Sequence, residues 1–101
     1  YDIGVVSWGS SAGAAHEAVM FARKEGINAA SFSSMLLSPF PEKELTAFSD
    51  RCDKILIPEL NYSGQFAAFA AGMLKRPVER LNFITGKPMA SEDILQKIRV
   101  M

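Results

Sequence analysis

Apolar positions along this chain fall into two rhythms, short continuous runs and longer spaced faces. Ile3-Gly4-Val5-Val6-Ser7 is a short apolar run that stops at Gly9, which predicts a buried strand. Ser10 or Ser11 is placed to cap the helix that follows. Ala15, Ala18, Val19 and Ala22 fall on one face of it, and Gly26 supplies the stop after Lys24-Glu25. Ile27 to Phe32 predicts a second strand, rich in Ala. Ser38-Pro39-Phe40-Pro41 breaks the pattern, and Pro41 suits the first position of a short helix ending near Asp50. Glu42 and Glu44 sit in its first turn, where the helix dipole favours negative charge.

Lys54 to Pro58 predicts the third strand, and Gly64 to Leu74 a third helix, with Phe66, Ala67, Ala70, Ala71 and Leu74 on one side. Val78 to Phe83 reads as a fourth strand, and Thr85-Gly86-Lys87-Pro88 as a turn. Ser91 is placed to cap a last helix, with Glu92 and Asp93 in its first turn and Ile94, Leu95 and Ile98 facing inward. Strand and helix alternate throughout, so the expected class is α/β. The architecture is three-layer α/β/α with a mainly parallel sheet, and right-handed crossovers limit its wiring.

Composition narrows the function classes. The 101 residues suit one domain with one modest core. The chain begins at Tyr1 and enters a strand at once, so residues 1–101 are expected to be one domain of a longer polypeptide. Lys plus Arg and Asp plus Glu balance at 11 each, which leaves no basic footprint for nucleic acid. No apolar run approaches the ~20 residues that span a bilayer, so no membrane association is expected, and a cytoplasmic setting is. The single Cys52 excludes an intrachain disulfide or a cysteine-ligated cluster within this segment.

Two turns carry the candidate chemistry. Glu59-Leu60-Asn61-Tyr62-Ser63-Gly64-Gln65 puts a carboxylate, an amide and a small-residue turn at the exit of the third strand. Trp8-Gly9-Ser10-Ser11-Ala12-Gly13 is a second strand-to-helix turn. Parallel α/β sheets meet ligands at the edge where such turns lie. Gly9, Ser10, Ser11, Gly13, Glu59, Asn61, Tyr62, Ser63, Gly64 and Gln65 are therefore the expected binding or interface residues. Free amides and two hydroxyls at the first turn could hold an anion, although it matches neither the dinucleotide fingerprint nor the P-loop. Structural capping is the plainer reading. Glu59 reads as a base, a partner contact or a carboxylate satisfying nearby amides. His16 lacks a nucleophile and an orienting acid at a recognisable spacing, and Cys52 reads as an inert thiol. Phe66, Phe69 and Met73 read as core, or as a face buried against another domain. No catalytic residue and no metal ligand is expected.

Three segments together resemble a known family. Val5-Val6-Ser7-Trp8-Gly9-Ser10-Ser11-Ala12-Gly13, Pro39-Phe40-Pro41-Glu42-Lys43-Glu44-Leu45 and the Glu59–Gln65 run are similar to the C-terminal domain of the alpha subunit of 2-oxoacid:ferredoxin oxidoreductases, with the 2-oxoglutarate branch nearest. Gly86-Lys87-Pro88 and the final helix extend the likeness over nearly the full chain. One departure is Ser33-Ser34-Met35-Leu36-Leu37, where relatives often carry His or Arg. The resemblance implies a transketolase C-terminal-like fold with strand order 2-1-3-4 in this segment. It further implies an enzyme that decarboxylates a 2-oxoacid on thiamine diphosphate with magnesium, passes electrons through an iron–sulfur cluster to ferredoxin, and forms an acyl-CoA. The implied partners are the remainder of the alpha subunit, the beta subunit and ferredoxin. Those cofactors are implied for other domains, so this domain is expected to bind none alone and to serve assembly. Two other readings stay open: a small anion- or nucleotide-binding module, and the related domain of a transketolase or a 2-oxoacid dehydrogenase E1 component.

Overall fold

In a computed structural model, residues 1–8, 12–34, 42–60, 65–83 and 90–101 are described. Strand β1 (Ile3–Trp8) leads to helix α1 (Ala12–Lys24), then β2 (Ala29–Ser34), α2 (Glu42–Asp50), β3 (Lys54–Leu60), α3 (Gln65–Leu74), β4 (Glu79–Phe83) and α4 (Ser91–Val100). The four strands form one sheet in the order β2-β1-β3-β4, and all three pairings are parallel. The expected class, layers and strand order are all present.

Strand alternation divides the core in two. Ile3, Val5 and Leu56 face one way and pack with Ala15, Ala18, Val19 and Ala22 of α1 and Ile94, Leu95 and Ile98 of α4. Val6, Ile55 and Ile57 face the other way, against Leu45 and Phe48 of α2, Cys52 and Ala70 of α3. The sheet is buried on both sides, which is why its inner strands read as unbroken apolar runs.

Local chemistry sets the element ends. Gly26 has φ +87°, the left-handed stop that its place after Lys24 predicts. Ile27 N–H donates to the Ala22 carbonyl at 3.0 Å, tying this residue to the helix end, so β2 begins at Ala29 and not at Ile27. Strand β3 runs on through Glu59 and Leu60, two residues past the expected end at Pro58, because β4 continues to pair with them. The N-cap of α4 is Ala90, which has extended backbone and no side-chain cap bond. Ser91 does not cap: its hydroxyl donates to Glu17 Oε1 on α1 at 2.5 Å, a stronger charge-assisted acceptor. The expected caps Ser10 and Ser11, the helix-opening Pro41 and the Thr85–Pro88 turn lie outside the described residues.

Gly4 is required by packing. A Cβ there would meet Cys52 Sγ at 2.5 Å and Phe48 Cε2 at 2.8 Å, so its missing side chain lets the α2 layer approach β1. Apolar surface remains uncovered elsewhere. Phe69 on α3 is 51% exposed, so it is not core within this domain, whereas Met73 is half-buried against the second cluster. The side chain of Phe66 lies outside the described residues.

Candidate functional site

Parallel strands share their carboxyl edge. Strand β1 ends at Trp8 and its neighbour β3 at Leu60, and the helices that follow them begin at Ala12 and Gln65. The sheet order reverses direction between these two strands, since β2 lies beyond β1 and β4 beyond β3. Open α/β sheets form their crevices at such reversals. Of the expected site residues, Gly13 sits in the first turn of α1, exposed, and beyond its own helix no atom of the described residues lies within 4 Å of where a Cβ would stand. Packing therefore does not demand a glycine there. Glu59 is a strand residue paired with Asn82, and Gln65 opens α3. Gly9, Ser10, Ser11, Asn61, Tyr62, Ser63 and Gly64 lie outside the described residues.

Among the described residues, Cys52 and His16 are poorly placed for bond-making. Cys52 is buried, donates its S–H to the Phe48 carbonyl at 3.3 Å, and has its thiol pKa pushed up by burial. It is the inert thiol expected. His16 is exposed, with Nδ1 3.5 Å from Ser31 Oγ. Both residues line an open groove of about 280 Å³ along the edge strand β2, with Met20, Arg23, Phe48 and Arg51 among its walls. Among the described residues no carboxylate lines that groove to orient the ring, so there the Ser–His pair lacks the third member of a nucleophilic set. Arg23 is engaged, its Nε donating to the Ala29 carbonyl at 2.6 Å. Sequence reading missed the groove because its walls come from separate parts of the chain.

Metal and cluster chemistry find no frame among the described residues, where no group of three or more His, Cys, Asp or Glu side chains gathers as an ion would require. The described residues do not fit the metal or the cluster that the resemblance implies for other domains, and no step through either is derived. No helix among the described residues is long and apolar enough to cross a membrane.

Sequence reading also passed over Ser7. It is buried to 1% exposure, on the sheet face of Ile3 and Val5, and its Oγ has no hydrogen-bond partner among the described residues. The signal was available: a hydroxyl in phase with two core residues of a buried strand.

Residues 2–94 match the family described as pyruvate:ferredoxin oxidoreductase core domain II. The chain is 35% identical over 98% of its length to the 2-oxoglutarate synthase subunit KorA of Methanothermobacter thermautotrophicus, covering 27% of that protein. It is 34% identical over 97% of its length to the ketoisovalerate oxidoreductase subunit VorB of the same organism, covering 28% of it. Among solved structures, a 2-oxoglutarate:ferredoxin oxidoreductase from Magnetococcus marinus, with 2-oxoglutarate, coenzyme A and succinyl-CoA bound, superposes with TM-score 0.88 at 28% identity. That alignment covers 98% of this chain and 17% of the other. A split-gene transketolase, an inactive beta4 tetramer, superposes with TM-score 0.77 at 18% identity, covering 98% of this chain and 37% of that one, a likeness of fold alone. The chain thus spans roughly a quarter of the length of the curated relatives it matches.

Proposed function

Because this chain belongs to the pyruvate:ferredoxin oxidoreductase core domain II family, we propose that residues 1–101 are the C-terminal domain of the alpha subunit of a 2-oxoacid:ferredoxin oxidoreductase, and that 2-oxoglutarate is the substrate of the whole enzyme. The observation that carries the substrate is the 35% identity, over nearly the entire chain, to a 2-oxoglutarate synthase subunit. The ketoisovalerate relative at 34% identity marks the competing 2-oxoacid.

Within that enzyme the domain works by position, and bond-making belongs to other parts. Its described residues supply a buried thiol, an exposed histidine without an orienting acid and no metal cluster. Thiamine diphosphate, magnesium, the iron–sulfur cluster and coenzyme A belong to the assembled enzyme, in the cytoplasm, with a beta subunit and ferredoxin as partners. The turns Gly9–Gly13 and Glu59–Gln65 form its contact surface, with Asn61 and Tyr62 the leading side chains. The neighbouring, parallel arrangement of β1 and β3 supports this reading, since both turns leave one edge of the sheet.

The test is a domain exchange. This chain replaces the matching segment of the Methanothermobacter 2-oxoglutarate synthase subunit, and the chimera is purified with its partner subunits. Viologen reduction dependent on 2-oxoglutarate and coenzyme A is expected from the chimera, and none from the 101-residue chain alone. Turnover by the isolated chain, or an assembled chimera that has lost 2-oxoglutarate turnover, overturns the proposal.

A further inference from the structure

In a parallel pair, alternate residues of each strand turn their peptide groups toward the partner. The bond from Lys54 N–H to the Asp2 carbonyl, 3.0 Å, shows which residues of β3 face β1. With the register running from Ile3↔Lys54 to Val5↔Leu56, that set is Lys54, Leu56 and Pro58. Leu56 N–H meets the Gly4 carbonyl in this pattern, and position 58 is due to meet the Val6 carbonyl. Proline has no N–H to give. The pairing of β1 with β3 stops at Val5↔Leu56, although β1 pairs with β2 as far as Trp8↔Ser34 and β3 with β4 as far as Leu60↔Phe83. Among the described residues the ladder is therefore interrupted at one seam, on the carboxyl side of Leu56. Pro58 costs nothing on its other flank, because the pattern turns Ile57 and Glu59 toward β4.

Ser7 adjoins the acceptor left without its ladder donor. Its hydroxyl is buried and has no hydrogen-bond partner among the described residues. Buried polar groups are almost always paired, and a buried water commonly supplies the missing bond.

We propose that one internal water occupies the β1–β3 seam, donating to the Val6 carbonyl in place of the missing Pro58 N–H and sharing a hydrogen bond with Ser7 Oγ. The chemistry selects the occupant. A carbonyl only accepts, so the guest must donate, which excludes an anion. A hydroxyl donates or accepts, so it fits water in either orientation. The seam lies where the sheet order reverses, between the strands that end at Trp8 and Leu60. Its place in the sheet is the same whichever 2-oxoacid the enzyme uses.

A crystal structure of the chain decides it first. A density peak within hydrogen-bond distance of both Val6 O and Ser7 Oγ is expected. A dry seam, or Ser7 Oγ bonded to a protein atom, overturns the proposal. Pro58→Ala provides the independent arm. It restores an N–H facing Val6, so the new amide at position 58 is expected to exchange with solvent roughly 100-fold more slowly than in an unfolded peptide, and the water peak should vanish. An amide there that exchanges as freely as in the unfolded chain overturns the proposed geometry. If that variant does not fold, the density in the unsubstituted chain still separates a wet seam from a dry one.

Discussion

Arg76 and Ser49 meet across 27 positions of chain, the guanidinium Nη1 donating to the Ser49 carbonyl at 2.9 Å. The same side chain reaches the Cys52 carbonyl at 3.0 Å and, through Nη2, the Asp53 carbonyl at 2.6 Å. Arg76 thus closes the carboxyl end of α2, where orphan carbonyls and the helix dipole both favour a cation. Arg76→Ala is expected to cost about 2 kcal/mol, with Arg76→Lys recovering only part, since an ammonium cannot span the same carbonyls. Urea unfolding midpoints check this, and an unchanged midpoint for the alanine variant refutes it.

Gly4→Ala is expected to cost about 1–3 kcal/mol by overpacking, since its methyl would stand 2.5 Å from Cys52 Sγ. Adding Cys52→Ala should return part of the loss, leaving the Phe48 clash in place. A double-mutant cycle on the folded domain measures that coupling, and strict additivity would exclude the contact.

Lys75 has φ +55° directly after α3, a left-handed position held without glycine. The next residue, Arg76, donates its N–H back to the Ala71 carbonyl at 3.4 Å, as expected at such a helix end. Lys75→Gly is expected to stabilise the domain by roughly 0.5–1 kcal/mol after allowing for the freer unfolded chain. Thermal unfolding reads the sign directly.

Glu25 and Arg99 form a two-pronged pair, with Nε at 2.9 Å and Nη2 at 2.5 Å from the carboxylate oxygens. The hydrogen bonds from Arg99 hold the Glu25 carboxyl below its ordinary value of 4.5. A lowered folded-state pKa contributes stability that is complete above the ordinary carboxylate value and lost as pH falls through the lowered one. Carboxyl NMR titration should therefore place Glu25 below 4.5, and Arg99→Gln should bring it back. Both groups are exposed, so the effect on total stability is small and screened by salt.

Cys52 should resist thiol reagents near neutral pH until the domain unfolds, because burial raises its pKa and shields it. Native-state labelling as fast as that of a free thiol would contradict the packing at Gly4.

The apolar run Ile3-Gly4-Val5-Val6 and the spaced alanines of α1 are enough to place the first half of the sheet and its covering helix, since burial on both faces writes itself into local pattern. The class and strand order follow from alternation and family likeness together. Glu59 reads as loop because Pro58 looks like a strand's end. It ends only one ladder, and the other carries the strand onward. Ser91 reads as a cap because its competitor, Glu17, lies 74 positions away. Arg76 gives no signal for a similar reason: its acceptors are backbone carbonyls, which look alike in every sequence. Of the two turns, their common origin on one edge follows from the topology, whereas their contacts depend on residues outside those described.

The Glu17–Ser91 and Glu25–Arg99 contacts join the first helix and the residue just after it to the last helix, each across 74 positions. The wall of Ile3, Val5 and Leu56 is therefore only part covered, by the first helix, until the last helix has been synthesised and docked. During translation, that wall waits on Ile94, Leu95 and Ile98 for the rest of its cover, while the opposite wall can already shut over Val6 and Ile57. Removing Ser91–Val100 would therefore unroof the part of that wall which α1 does not reach, leaving a bare apolar strip prone to clumping.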